Sequence, residues 1–326
     1  MKVLVTGGLG FVGHAVVREL AARGDTVTVL TRRQATGPGL VTGDVRDRAR
    51  LAEIMLAGQF EGIVHLAALG QVREPAAGPL VTFDVNLAGT LNLLMALPEA
   101  PVPFVFASTS IVYGPARTGA LSEDLDPHPG NPYAESKLAA ERLIGAYAAT
   151  GRIAAVSLRC FNVAGAVDGV PDRDPARIIP NAIRAATGEL PHVTLNGDGR
   201  AVRDFVHVAD VARAFAAGLD AAVPGEHLVC NVGSGHGTSM AEVVAAVQRV
   251  SGVDFPVVHA PPKPEPQSLT ADISRAGNLL GWHPASSTLA QIVEDAWHAA
   301  RSPGTATAPG LPHPGGAGSD PPRTAW

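Results

Sequence analysis

Met1-Lys-Val-Leu-Val-Thr-Gly-Gly-Leu-Gly-Phe-Val-Gly13 is the stretch whose reading decides the fold. Val3, Leu4 and Val5 form a short apolar run of the kind that fills a parallel strand buried on both faces. Glycines follow at 7, 8, 10 and 13, and an amphipathic stretch runs from Phe11 to about Arg23. The order is strand, glycine turn, helix. Such a turn needs glycine where the chain bends sharply, where backbone approaches a pyrophosphate, and where the helix packs on the strand. The helix start adds free N–H groups and a partial positive charge for the anion. Thr26-Val-Thr-Val-Leu30 then opens a second strand after Gly24-Asp25. The opening therefore predicts a dinucleotide site, with Gly7, Gly10, Phe11, Val12 and Gly13 around the phosphates.

Outward from there, strand patterns at Gly62–Leu66, Val102–Ala107 and Ile153–Leu158 alternate with helical ones. That rhythm predicts an α/β fold: a doubly wound parallel (Rossmann) sheet, with ligands beyond the C-terminal strand ends. From about Asn162 the rhythm loosens, punctuated by Pro171, Pro175, Pro180 and Pro191, which predicts a smaller C-terminal substrate lobe. His227–Val232 reads as a return to the sheet. The expected division is residues 1–161 with about 203–235 as the dinucleotide-binding domain, and about 162–202 with 236–301 as the substrate-binding lobe. Residues 302–326 are rich in Pro, Gly, Ala, Ser and Thr and are expected to be a disordered tail.

Composition narrows the function classes. The chain has 326 residues, 46% of them hydrophobic, with 25 basic and 30 acidic side chains and a net charge of −5. Without a basic run, nucleic acid and anionic membranes are not expected partners. No apolar stretch reaches the ~20 residues of a membrane span, and the N-terminus enters a strand without the order of a signal peptide. The two cysteines, Cys160 and Cys230, suit a reducing compartment, and the expected location is cytoplasmic. Eleven histidines are scattered singly, so no metal is expected.

The cofactor is expected to be NADP or NAD, with NADP favoured. A carboxylate usually stands about 20 residues past the glycine turn to hold the ribose hydroxyls. Here the second strand ends Leu30-Thr31-Arg32-Arg33, and a guanidinium can bind a 2′-phosphate through paired hydrogen bonds. Asp44, followed by Val45, is placed to meet the adenine amino group.

The chemistry points to Asn131-Pro132-Tyr133-Ala-Glu-Ser-Lys137, where Asn131 is a good N-cap and Pro132 a good first helical residue. Tyr133 and Lys137 share a helix face at i, i+4. A neighbouring ammonium favours phenolate and makes tyrosine a better base than its free pKa of about 10 allows. Phe104-Val-Phe-Ala-Ser108-Thr109-Ser110 leaves hydroxyls at a strand end, where one can orient an alcohol or carbonyl beside the tyrosine.

Taken together, Thr6-Gly-Gly-Leu-Gly-Phe-Val-Gly13, His65-Leu-Ala-Ala68, Asn86-Leu-Ala-Gly-Thr90, Ser108-Thr-Ser-Ile-Val-Tyr-Gly114, Tyr133-Ala-Glu-Ser-Lys137, Leu158-Arg-Cys-Phe-Asn162, Val202-Arg-Asp-Phe-Val-His207 and Leu280-Gly-Trp282 resemble one family. It is the extended short-chain dehydrogenase/reductases, within them the UDP-glucose 4-epimerase-like nucleotide-sugar enzymes. The resemblance implies Tyr133 as acid/base, Lys137 as its partner and ribose ligand, and Thr109 as the hydroxyl on O4 of the sugar. It places Leu66, Ala67, Ala68, Asn86 and Ser108 at the cofactor. Ser110, Asn162, Arg177, Ile178, Asn196, Arg203 and Lys263 fall to the nucleotide sugar, and a homodimer is implied.

Departures cluster on the sugar side. Ser110 and Ile111 stand where dehydratases of the family carry acids, which argues against water elimination. Arg177-Ile178 replaces a polar-then-apolar pair, Asn196 an aromatic residue, Cys160 a tyrosine, and Pro262–Pro266 an arginine-rich closing stretch. The expected activity is a nucleotide-sugar 4-epimerase. The alternative is an NADPH-dependent 4-ketoreductase, which Arg32 and Arg33 suit. A non-catalytic cofactor sensor would have no use for a poised base.

Overall fold

In the computed structural model, residues 1–34, 37–70, 78–114, 119–262 and 267–302 are described. Lys263 and all but Ser302 of the expected tail lie outside them. The central sheet has seven strands: β1 (Lys2–Thr6), β2 (Thr26–Thr31), β3 (Leu40–Thr42), β4 (Gly62–His65), β5 (Val102–Thr109), β6 (Ile153–Cys160) and β7 (His227–Val232). Their spatial order is β7-β6-β5-β4-β1-β2-β3, and every neighbouring pair is parallel. The order reverses direction beside β1, between β2 and β4, so the glycine turn sits at the switch point where such sheets open a crevice.

Both faces are sealed. Val3, Val5, Val16, Leu20, Val211 and Phe215 fill one side, and Leu4, Ile63, Phe104, Phe106 and Ile144 the other. Alternation along β1 sends neighbouring side chains to opposite faces, which is why an unbroken apolar run was needed. Each fully buried side chain of this size is worth ~1.5–3 kcal/mol.

Three helices bear on function: α1 (Phe11–Ala22), α2 (Pro132–Ala148) and α3 (Ile178–Ala186). Asn131 caps α2 by accepting from the Ala134 N–H at 2.9 Å, with Pro132 in the first turn, as its sequence requires.

A second body holds α3 over a cluster of Ile179, Ile183, Leu195, Val243, Ile292 and Trp297. In it Val202–His207 pairs in parallel with Asn162–Ala164 and Ser268–Ala271, and antiparallel with Gly237–Ser239. The sequence pattern assigned this strand to the dinucleotide-binding half. It pairs outside the seven-stranded sheet, and the chain returns there through the helix Val208–Ala221 and then β7. Buried Asp204 fixes the junction, accepting from the N–H groups of Ser234, Gly235 and Ala271 at 2.6 to 3.0 Å.

Candidate active site

The glycine turn is a cradle that only glycine can form. Gly7 has φ of +73°, and a Cβ there would meet the backbone of Leu66 and Ala67 at under 3 Å. A Cβ on Gly13 would stand 2.1 Å from the Gly7 carbonyl oxygen. Gly10 caps α1 without a side-chain hydrogen bond, so no side chain claims the first N–H groups of the helix. The crevice is a cleft of about 650 Å³ lined by Gly7, Gly10, Arg32, Arg33, Asp44, Val45, Leu66, Ala67 and Ala68. Phe11, Val12 and Gly13 form the first turn of α1 behind it. The chemistry of the turn and the size of the cleft fit a dinucleotide.

The walls differ in detail from the expectation. Arg32 and Arg33 are both exposed on the rim. The Asp44 carboxylate accepts from Arg46 at 2.8 and 3.1 Å, and this hydrogen bonding holds it below the usual carboxylate range. Asn86 does not face the cleft. Its side chain is spent on Leu69 N–H, Leu69 C=O and Ser136 Oγ at 2.8, 3.2 and 2.9 Å, because it sits in a π-turn (Asp84–Ala88) that turns it inward. Asn86 thus supports the wall formed by residues 66–69. Ser108 likewise points inward, donating to Glu141 at 2.7 Å.

Thr109 ends β5 and Tyr133 opens α2, which brings the Thr109 hydroxyl close enough to act on the Tyr133 phenol. Ser136 donates back to the Tyr133 carbonyl at 2.8 Å, linking the base to Asn86 and the cleft wall. Part of Tyr133 is exposed, but its hydroxyl is enclosed. Burial raises its pKa above the ordinary 10, with Cys160 adding to the rise, while the Arg177 charge and the Thr109 hydroxyl act in the opposite sense. The phenol is therefore neutral at rest and suited to exchanging a proton. Lys137 is 2% exposed, with Nζ 4.3 Å from the centroid of the Phe106 ring. Burial pushes its pKa down to about 7, opposed by Cys160 and Glu141.

A second pocket, about 250 Å³, is lined by Asn162, Arg177, Ile178, Asn196 and Arg203 together. Five of the residues expected at the nucleotide sugar, drawn from separate segments, thus meet in one place. Arg177 caps α3 without a side-chain cap bond and donates to Val163 C=O and Asp172 at 3.0 and 3.1 Å. Ser110 is buried at the start of a 3-10 turn (Ser110–Tyr113). Among the described residues, no group of three or more His, Cys, Asp or Glu could hold a metal, and no helix is long and apolar enough to cross a membrane.

Sequence reasoning missed Glu141 and Asn231. Glu141 is 4% exposed and pairs with Arg159 at 2.5 Å; Asn231 is fully buried against Tyr113. Glu141 could have been found by extending the Tyr133–Lys137 spacing by one more step of four. Asn231 carried no local signal.

Comparison with known proteins agrees with this geometry. The sequence profile of the NAD dependent epimerase/dehydratase family matches residues 3–233. The UDP-glucose 4-epimerase of Streptomyces lividans is 38% identical over 313 residues, covering 91% of this chain and 95% of that one. The crystal structure of UDP-glucose-4-epimerase from Stenotrophomonas maltophila with bound NAD and formylated UDP-arabinopyranose superposes with a TM-score of 0.85 at 32% identity, covering 93% of this chain and 98% of that one. UDP-glucose 4-epimerase from Brucella ovis in complex with NAD gives 0.83 at 34% identity, covering 91% and 97%.

Proposed function

Because the chain belongs to the NAD dependent epimerase/dehydratase family, we propose that it is a nucleotide-sugar 4-epimerase. The observation that carries this is the place of Tyr133. It is within reach of the Thr109 hydroxyl, tied through Ser136 and Asn86 to the wall of the dinucleotide cleft, and within electrostatic reach of Arg177 in the second pocket. A sugar reaching in from the second pocket meets the proton-transfer pair next to the cofactor cleft.

The residues divide the work. The turn at Gly7–Gly13 and the start of α1 would hold the pyrophosphate of a dinucleotide, and Lys137 would serve its ribose. When bound, that nicotinamide supplies a reversible hydride acceptor. Arg203 and the α3 start suit the diphosphate of the sugar nucleotide. Thr109 orients the C4 oxygen. Tyr133 would first release its own proton to solvent. As the phenolate, favoured by the Lys137 ammonium and by the positive charge an oxidised nicotinamide would bring, it would accept the C4 hydroxyl proton as the carbinol carbon gives up its hydride. As the phenol it would return that proton to the 4-keto oxygen after the sugar has presented its other face. Lys137, as an ammonium, stabilises phenolate during the transfer.

The solved relatives hold NAD, and their names and ligands point to UDP-sugars. They do not support the preference for NADP expected from Arg32 and Arg33, and we assign NAD and a UDP-hexose here. Arg177 and Asn196 leave the sugar itself to be found by screening. The test is to denature the purified protein, identify the released cofactor by mass, and incubate fresh protein with UDP-glucose and UDP-galactose, then with UDP-, TDP-, GDP- and CDP-sugars. Released NAD and formation of a C4 epimer are expected. Stoichiometric NADPH consumption with a 4-keto sugar, while every hydroxy sugar is inert, overturns the assignment in favour of a ketoreductase.

A further inference from the structure

The helix face that carries Tyr133 and Lys137 continues four residues on to Glu141, buried in α2. Its carboxylate accepts from Ser108 Oγ at 2.7 Å, from Arg159 Nε at 3.2 Å and from Arg159 Nη2 at 2.5 Å. Ser108 is the neighbour of Thr109 at the end of β5, and Arg159 the neighbour of Cys160 at the end of β6. One carboxylate therefore pins the two strand ends beside the proton-transfer pair to the helix that bears it. Arg159 also donates to Tyr113 Oη at 3.1 Å, Tyr113 donates to Asn231 at 2.7 Å, and Asn231 donates to the carbonyls of Leu121 and Asp272 at 2.7 and 3.2 Å. The chain of bonds runs from α2 across the sheet to the strand Ala120–Leu121 and to Asp272, the residue after the strand Ser268–Ala271.

Resting on the assignment of Tyr133 and Lys137 as the proton-transfer pair, we propose that Glu141 is a positioning residue for it. Glu141 holds α2 in register with Thr109 and supplies the counter-charge that keeps Lys137 an ammonium. The groups around Lys137 leave this task to no other residue described. On its own helix stand Tyr133 and Glu141. From β5 comes the uncharged Phe106 ring, from β6 the Cys160 thiol, and from β4 the His65 imidazole. The Cys160 thiol, buried and pushed up to about 12, carries no charge in the working range, and buried His65 stays neutral. Arg159, paired with the same carboxylate on its other side, is not among the charges that move Lys137. Glu141 is thus the anion acting on Lys137 among the described residues.

Glu141→Gln alone strands the buried Arg159 charge and destabilises the fold. The working variant is therefore E141Q/R159M, which removes both charges and keeps volume. Its folding is checked by circular dichroism and NAD titration. Two readouts follow. In the cofactor-free protein the 13C resonance of the Lys137 side chain reports its ionisation directly, and its midpoint should fall by at least half a pH unit in E141Q/R159M. This readout does not depend on the sugar assignment. In turnover, kcat should drop about 10- to 100-fold with KM nearly unchanged, and its alkaline limb should move to lower pH as Lys137 loses its proton earlier. E141D keeps the charge but shortens the pin, so it should lose kcat without moving the limb. An unchanged Lys137 midpoint in folded E141Q/R159M overturns the proposal. If that variant does not fold, wild-type kcat in E141D overturns it. Failure of the wild-type protein to epimerise any sugar, with the Lys137 shift present, instead counts against the function assigned above.

Discussion

The hydroxyl of Thr6 lies 2.7 Å from Nδ1 of His65, across the pairing of β1 with β4. Thr6 Oγ1 also accepts from the Ala67 N–H at 3.1 Å. On the other side Thr90 spends its proton on the Asn86 carbonyl at 2.6 Å and accepts from His65 Nε2–H at 3.0 Å. With Nε2 the donor, Nδ1 accepts from Thr6, which holds the imidazole in one neutral tautomer in a site that burial keeps from a second proton. It braces the start of the cofactor-cleft wall against the π-turn that carries Asn86.

Acid stability follows from this lock. Burial lowers the His65 pKa to about 3, from 6.5 in the unfolded chain. Between those values the unfolded chain binds one proton more than the folded one. The contribution is present above pH 6.5 and is lost as pH falls toward 3, by about 1.4 kcal/mol per pH unit. His65→Gln should make the pH dependence of unfolding free energy shallower by about one proton between pH 6 and 4, measured by urea unfolding. An unchanged slope would show that His65 is not held neutral.

Gly13→Ala should cripple cofactor binding, because the new Cβ collides with backbone that has nowhere to go. Overpacking of this kind costs about 1–3 kcal/mol, or about 10- to 100-fold in affinity if it falls on the bound state. Gly10→Ala, where the nearest atom is the Gly7 carbonyl oxygen at 3.3 Å, should be much milder. Titration of NAD into both variants checks the order; equal losses would contradict the close approach at Gly13.

The contrast between these two sites shows what a sequence can reveal. The glycine turn and its strands were legible because their causes are local: a bend that excludes Cβ, and an apolar run that fills both sheet faces. The Asn131 cap and the Tyr133–Lys137 face were legible for the same reason. Asn86 and Ser108 were read as cofactor contacts, yet their side chains turn inward, because the partners that claim them lie 50 and 33 residues away. Tyr113 and Asn231 are 118 residues apart and leave no pattern to read. The Val202–His207 strand has an ordinary β pattern, and only the competition among partners placed it outside the central sheet.

Tyr133→Phe should keep the fold and NAD affinity and lose at least about 100-fold in kcat, the scale of a positioned acid/base. Its hydroxyl lies within reach of Thr109 and of the Arg177 charge. Turnover close to that of the unsubstituted protein would remove Tyr133 from the mechanism.

Arg32 and Arg33 stand exposed on the rim of the cleft, where β2 ends without a carboxylate. Replacing both with alanine should weaken NADP by about 10-fold or more and leave NAD nearly untouched, since only the 2′-phosphate gains from a guanidinium. Calorimetric titration of both cofactors into both proteins is the check. Tighter binding of NADP than of NAD by the unsubstituted protein would reverse the cofactor assignment.

The central claim is that hydride leaves C4 and returns to the same carbon. A UDP-hexose that the protein turns over, tritiated at C4, tests it most directly. The account predicts that the label stays on the sugar in the C4 epimer, with no net change in nicotinamide absorbance at any time. Loss of tritium to solvent, or oxidation of one NADPH for each product formed, would contradict it.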